Sequence, residues 1–215
     1  MDNGILYPIR LLQNGKDLRK MIILASASPR RKEILRDLGV DFEVVVADVD
    51  ESSAITDPVA LTKELARRKG EAVYKKLKRE GEYDADGAVI ISADTVVCCD
   101  GEILGKPRDR DDAIRMIRAL SGRAHTVVSG VAVTVGGVAT SDASVTAVRV
   151  QEIPESEIER YVDSGEPMDK AGAYGIQGRF SAFVEGIDGC YFGVVGLPVN
   201  TLSNLYFAVT GERLS

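Results

Sequence analysis

Apolar positions along the chain fall into short continuous runs and two-residue alternations, separated by stretches with helical spacing. Ile22, Ile23 and Leu24 form the first run; a hydroxyl-rich turn and a helical pattern follow to about residue 38, where Gly39 supplies a stop. Residues 42–47 read as a second strand, closed by the acidic run Asp48-Val49-Asp50-Glu51. Asp57 and Pro58 open a long helix with Leu61, Leu65, Ala66, Ala72, Val73 and Leu77 on one face. Its basic end, at Lys75, Lys76, Lys78 and Arg79, suits a solvated face and the helix dipole. Val89-Ile90-Ile91 reads as a buried strand that ends at Ser92-Ala93-Asp94-Thr95 and is continued by Val96-Val97-Cys98-Cys99. Asp109 caps a helix over residues 111–120. Residues 126–135 and 138–150 are β-branched and alternating, and Gly136-Gly137 joins them as a long hairpin. Pro154 opens a helix over 155–164 and Pro198 a final one to about Val209; between them lie a glycine-rich segment over 169–178 and strands at 183–184 and 191–195. Strand–helix units combined with one long hairpin predict an α/β fold with a mixed sheet.

Residues 1–20 carry scattered basic side chains, no periodicity and no signal-peptide core, so they read as a peripheral extension to a single domain over 21–215. No apolar run approaches the ~20 residues of a membrane span. The net charge is −6, from 27 basic and 33 acidic residues, which argues against a general nucleic-acid binder; anion handling would fall to local basic residues in a pocket. Cys98, Cys99 and Cys190 have neither a zinc spacing nor a disulfide pattern, as expected for free thiols in a reducing cytoplasm. His125 is the single histidine, so no mechanism can use a histidine pair within one chain.

Four polar clusters interrupt the hydrophobic pattern. In the first, Ser28 is placed to cap a helix with Pro29 at its first position, yet Arg30, Arg31 and Lys32 fill the first turn, where acids are favoured. Such a turn is either an exposed basic helix start or a phosphate site. The second is Asp94-Thr95: a carboxylate after an apolar strand either caps a turn or serves as a general base or metal ligand. Glu51 is the best second carboxylate, and two carboxylates with phosphate oxygens and water make the usual magnesium arrangement. The third is Gly105-Lys106-Pro107, which fixes a lysine as a point charge for phosphate. The fourth, 169–178, holds three glycines with Asp169, Lys170 and Gln177; the Gln177 amide has a donor and an acceptor, suited to a base edge, while a structural turn explains the glycines equally well.

In combination these motifs resemble the Maf family of nucleotide pyrophosphatases over about Met21 to Val209: Ser26-Ala27-Ser28-Pro29-Arg30-Arg31, Ala93-Asp94-Thr95, Gly105-Lys106-Pro107, Leu120-Ser121-Gly122-Arg123 with His125, the segment 169–178, and Val195-Gly196-Leu197-Pro198. Two local departures are Ser92, where glycine is common, and Gly193, where a polar residue is common. The resemblance implies an elongated α/β fold of the Maf and inosine-triphosphatase-like kind, with a curved mixed sheet, two lobes and a central cleft. It implies hydrolysis of a nucleoside triphosphate to the monophosphate and pyrophosphate with Mg²⁺ or Mn²⁺, often by a homodimer. Arg30, Thr95 and Gln177 mark the type acting on dTTP and UTP.

On this resemblance Ser26, Arg30, Arg31, Lys106 and Lys170 face the phosphates, Glu51 and Asp94 hold the metal, Asp94 activates water, and Thr95 and Gln177 read the base with help from Arg30. The partner would be a small-molecule nucleotide, with no nucleic acid and no membrane, and the role would be clearing modified or surplus pyrimidine nucleotides. The rival is a non-enzymatic nucleotide-binding regulator of cell division; Asp94 and Lys106 argue against it, since a pure binder has no need of a carboxylate beside phosphate.

Overall fold

A computed structural model describes residues 20–81 and 83–215. The reading of residues 1–20 as an extension falls, apart from Lys20, outside them. The chain runs β1 (Ile22–Leu24), α1 (Pro29–Asp37), β2 (Glu43–Val44), α2 (Pro58–Glu80), β3 (Val89–Cys99), β4 (Glu102–Leu104), α3 (Arg110–Leu120), β5 (Ala124–Val135), β6 (Val138–Val150), α4 (Glu155–Asp163), three short 3₁₀ turns, β7 (Val184–Asp188), α5 (Tyr191–Val195) and α6 (Val199–Thr210). Seven strands form one sheet in the order β2-β1-β3-β5-β6-β7, with β4 also on β3. β1 runs parallel to β2 and β3, and the remaining pairs are antiparallel, so the sheet is mixed as expected. Among the described residues no helix is long and apolar enough to cross a membrane.

Strand pleating divides the core. Val89, Ile91, Ala93 and Val97 of β3 join the larger cluster with α1, α3 and α6, whereas Ile90 packs with Ile23, Val73 and Leu77 in a smaller one beneath α2. Asp57 caps α2 by accepting from the Ala60 N–H at 2.7 Å, and Gly81 ends it with φ 71°. Two glycines bring α2 onto the sheet. A Cβ on Gly70 of α2 would stand 2.4 Å from Thr134 Oγ1, and one on Gly130 of β5 would stand 2.4 Å from the Thr62 carbonyl. The second obstacle is backbone, which cannot rotate away. Gly130→Ala should therefore lower stability by about 1–3 kcal/mol, read as a fall in the denaturant midpoint at unchanged slope. An unchanged midpoint would mean that α2 can lift from the sheet at little cost.

The β5–β6 hairpin turns at Gly136 and Gly137, both with positive φ, and pairs Val135 with Val138. Three local expectations are corrected. The strand over 42–47 shrinks to Glu43–Val44, whose side chains are exposed at the sheet edge. The run at 191–195 is the helix α5 rather than a strand; Cys190 Sγ accepts from the Gly193 N–H at 3.3 Å at its start. The strand expected at 183–184 is β7, which begins at Val184 after a 3₁₀ turn over Arg179–Phe183.

Candidate active site

The site follows from how β3 is flanked. On one side it pairs continuously with β5 from Val89 to Cys98. On the other side β1 covers Val89 to Ile91 and β4 covers Val97 to Cys99, so the edge between them carries no strand. Asp94 and Thr95 lie in that gap. Asp94 is thus inside a continuous strand, not at the strand end the sequence suggested, and it borders a crevice because its neighbours part. A cleft of about 1020 Å³ opens there, and it is lined by every residue expected to meet the substrate or the metal: Ser26, Arg30, Arg31, Glu51, Asp94, Thr95, Lys106, Lys170 and Gln177.

The turn between β1 and α1 forms one wall. The Ala25 N–H donates to the Ile91 carbonyl at 2.8 Å and prolongs the β1–β3 ladder by one step. Ser28 holds the cap position, but its side chain makes no cap bond; Ser26 Oγ accepts the Ser28 N–H at 3.2 Å instead. The start of α1 therefore keeps its positive end without a side-chain cap and without an acidic residue in the first turn.

Arg31 is committed to the protein. Its Nε donates to the Gly196 carbonyl and its Nη1 to the Ala93 carbonyl, both at 2.8 Å, and it also reaches Ser26 Oγ at 3.2 Å and Thr95 Oγ1 at 3.3 Å. Four of the five guanidinium donors are thus used on neutral acceptors. Burial lowers its pKa, with nearby Asp94 pulling the other way. With no carboxylate in direct contact among the described residues, its charge stays available to an anion in the cleft.

Lys69 of α2 is the functional group that sequence reasoning missed. Its Nζ lies 2.6 Å from Asp94 Oδ1 and 2.7 Å from Glu51 Oε1, joining the two carboxylates expected to act together. Burial works to raise the Glu51 carboxyl, but the Lys69 hydrogen bond and charge, with Lys106 and Arg31, outweigh it and the net shift is downward. A signal for Lys69 was present: it falls at the helical spacing of the buried stripe Thr62, Leu65, Ala66, Gly70, Val73 and Leu77. A lysine in that stripe must aim its ammonium at something.

Among the described residues no group of three or more His, Cys, Asp or Glu side chains is placed to hold a metal. Glu51 and Asp94 do converge on a single cationic point, and that pair suits a hard divalent ion completing its shell with phosphate oxygens and water.

The opposite wall is the glycine-rich segment. Asp169 bridges Arg30 Nη1 at 3.3 Å and Lys170 Nζ at 2.6 Å, so both expected phosphate ligands share one exposed carboxylate. Lys170 also donates to the Glu166 carbonyl at 2.5 Å, and the Glu166 carboxylate accepts the Arg179 N–H at 3.1 and 3.2 Å. These contacts fix the turn that presents Gln177, whose side chain is exposed to the cleft. The Gly172 N–H donates to the Gly105 carbonyl at 3.0 Å, tying this segment to the turn that carries Lys106.

Beneath the segment, His125 Nε2 and Tyr174 OH are 2.7 Å apart, with the rings edge to face. Burial pushes the His125 imidazole down to about 4 from 6.5. The unfolded chain then takes up the proton first as pH falls, so this contribution is complete above about pH 6.5 and is lost on acidification towards pH 4. Between pH 7 and pH 5 it amounts to about 2 kcal/mol. His125→Gln should flatten the stability–pH curve over that window, measured by denaturant midpoints at the two pH values. An equally steep curve would assign the acid sensitivity to other groups.

Fold and cleft together define an α/β protein built to receive a polyanion beside a carboxylate pair. Residues 21–208 match the family model described as Maf-like protein, and the chain belongs to the Maf family. It is 51% identical to a dTTP/UTP pyrophosphatase of Chromobacterium violaceum over 180 residues, which cover 83% of this chain and 89% of that protein. It is 46% identical to a dTTP/UTP pyrophosphatase of Thermococcus onnurineus, covering 86% of this chain and 96% of that one. A dTTP/UTP pyrophosphatase of Acetivibrio thermocellus is also 46% identical, with 86% and 92% covered.

Proposed function

We propose that this chain hydrolyses dTTP and UTP to the monophosphate and pyrophosphate, through a single catalytic domain over 21–215. The observation that carries the chemistry is Asp94. One carboxylate oxygen is anchored by Lys69, while the side chain lies where the sheet parts, in the wall of the cleft. In this reading Asp94 takes a proton from water, and the water oxygen bonds to the α-phosphorus. The bond from that phosphorus to the α,β-bridging oxygen breaks, and pyrophosphate leaves with the bond's electron pair. The uncapped start of α1, the Arg31 charge and Lys106 offset the negative charge of the substrate. Arg30 and Lys170 exchange Asp169 for phosphate, and Ser26 holds the turn in shape.

A divalent ion, Mg²⁺ or Mn²⁺, would be held by Glu51 and Asp94 and would neutralise charge on the phosphate oxygens. Arg30, Thr95 and Gln177 would read the base. A homodimer in the cytoplasm, keeping the nucleotide pool free of surplus or modified pyrimidine nucleotides, completes the reading; the names of the relatives support the pyrimidine nucleotide, and the free thiols at Cys98, Cys99 and Cys190 suit a reducing compartment.

The test is release of pyrophosphate and monophosphate from all common ribo- and deoxynucleoside triphosphates, with Mg²⁺ or Mn²⁺. Selective cleavage of dTTP and UTP is expected; tight binding without cleavage would instead indicate a nucleotide-responsive regulator. Gln177→Glu should change base preference more than total hydrolysis, because the carboxylate keeps an acceptor and loses the amide donor. An unchanged substrate profile would leave Gln177 only a structural role in its turn.

A further inference from the structure

The side chain of Thr95 sits in a chain of hydrogen bonds whose direction can be worked out. Ser129 is fully buried on β5, directly opposite Thr95 in the ladder. Its Oγ lies 2.7 Å from the Gly193 carbonyl of α5, and a carbonyl can only accept, so the one Ser129 hydroxyl proton points there. Thr95 Oγ1 lies 2.7 Å from the same Ser129 oxygen. Ser129 has no second proton to give, so Thr95 must be the donor of that bond. Arg31 Nη2 donates to Thr95 Oγ1 at 3.3 Å and occupies one of its lone pairs. Thr95 is left with one lone pair and no proton to offer the cleft that it lines.

We propose that Ser129 is a specificity-positioning residue: by taking the Thr95 proton it makes Thr95 a fixed acceptor, which selects the N3–H of uracil and thymine. This rests on the dTTP/UTP reading above. Uracil and thymine carry a single N–H once N1 bears the sugar, at N3 between two carbonyls. A fixed acceptor that reads either base must therefore meet N3–H. Cytosine presents a bare lone pair at N3, and two facing lone pairs repel. A threonine free to rotate its hydroxyl could serve both bases by reversing the bond; one held by Ser129 cannot. Ser129 and Gly193 thereby act on base choice without touching the base.

The experiment compares kcat/KM for UTP and CTP in the wild type, Thr95→Val, Ser129→Ala and the double variant. The UTP-to-CTP ratio should fall by about tenfold in each single variant, the worth of roughly one hydrogen bond. The double variant should be no less selective than Thr95→Val, because both changes disable one device. Should Ser129→Ala fail to fold, Ser129→Cys carries the same expectation, since a thiol keeps the volume but accepts weakly. A Ser129 variant that slows both substrates equally at an unchanged ratio would reduce Ser129 to a packing role and overturn the proposal alone. Losses that multiply in the double variant would overturn it too. A wild type that does not prefer UTP overturns the substrate reading and the proposal together.

Discussion

Asp94→Asn is expected to lower turnover of dTTP and UTP by about 10²–10⁴-fold, the usual worth of a positioned acid or base. The change is isosteric, and the asparagine oxygen can still accept from Lys69, which now lies 2.6 Å from Asp94 Oδ1. The folded state should therefore survive, with a melting temperature close to wild type. The kinetic signature is more telling than the size of the loss. The substitution removes a negative charge beside the polyanion, which favours binding, and also one of the two carboxylates proposed to hold the metal; with metal kept saturating, kcat should fall while KM for the triphosphate stays level or drops. A variant that turns over at a wild-type rate would take the base role from Asp94. A rise in KM at unchanged kcat would make Asp94 a binding group only.

The features that govern this outcome were unevenly legible in the sequence. Local signals transferred well. Asp57 and Asp109 cap α2 and α3 with their side chains, and Gly136-Gly137 turns the hairpin, because each depends on residues within four positions of it. The polar clusters were also found, since a strand such as β3 has no packing reason to hold Asp94. What failed lay in short local runs with atypical caps or depended on partners far along the chain. Tyr191 to Val195 is five mostly apolar residues, too short for periodicity to separate helix from strand, and the cap of α5 is a cysteine thiol. Ser28 occupies the cap position, but its side chain makes no cap bond, and Ser26 Oγ, which also accepts from Arg31 Nη1, takes the N–H of Ser28 itself. Arg31 was read as one of the cations facing the phosphates. Only the arrival of Gly196 and Ala93 from distant segments shows that most of its donors are engaged. The gap in the sheet, which turns a buried strand into a cleft wall, comes from the pairing of β1 and β4 with separate parts of β3 and has no local trace.

Lys69→Met should lower kcat/KM for dTTP and UTP by about 10²–10³-fold, comparable to deleting one preorganised electrostatic group. Methionine has similar length and good helix propensity, so α2 should persist, and the loss falls on the ammonium. That ammonium now neutralises Asp94 and Glu51 together. Without it two carboxylates face each other and an incoming polyanion, so KM should rise as kcat falls, unlike the pattern for Asp94→Asn. The double variant separates two ways in which Lys69 could act. If Lys69 works by holding Asp94 in position, Lys69→Met on the Asp94→Asn background should cost little further, since the group it serves has already been removed. If it also meets the phosphates, the two losses should multiply. Wild-type kinetics in Lys69→Met would deny it both roles and leave the largely buried contact with Asp94 a structural ion pair. The geometry favours the first alternative: Lys69 Nζ is already shared by two carboxylates at 2.6 and 2.7 Å, and Arg31 and Lys106, with no carboxylate in direct contact among the described residues, line the same cleft.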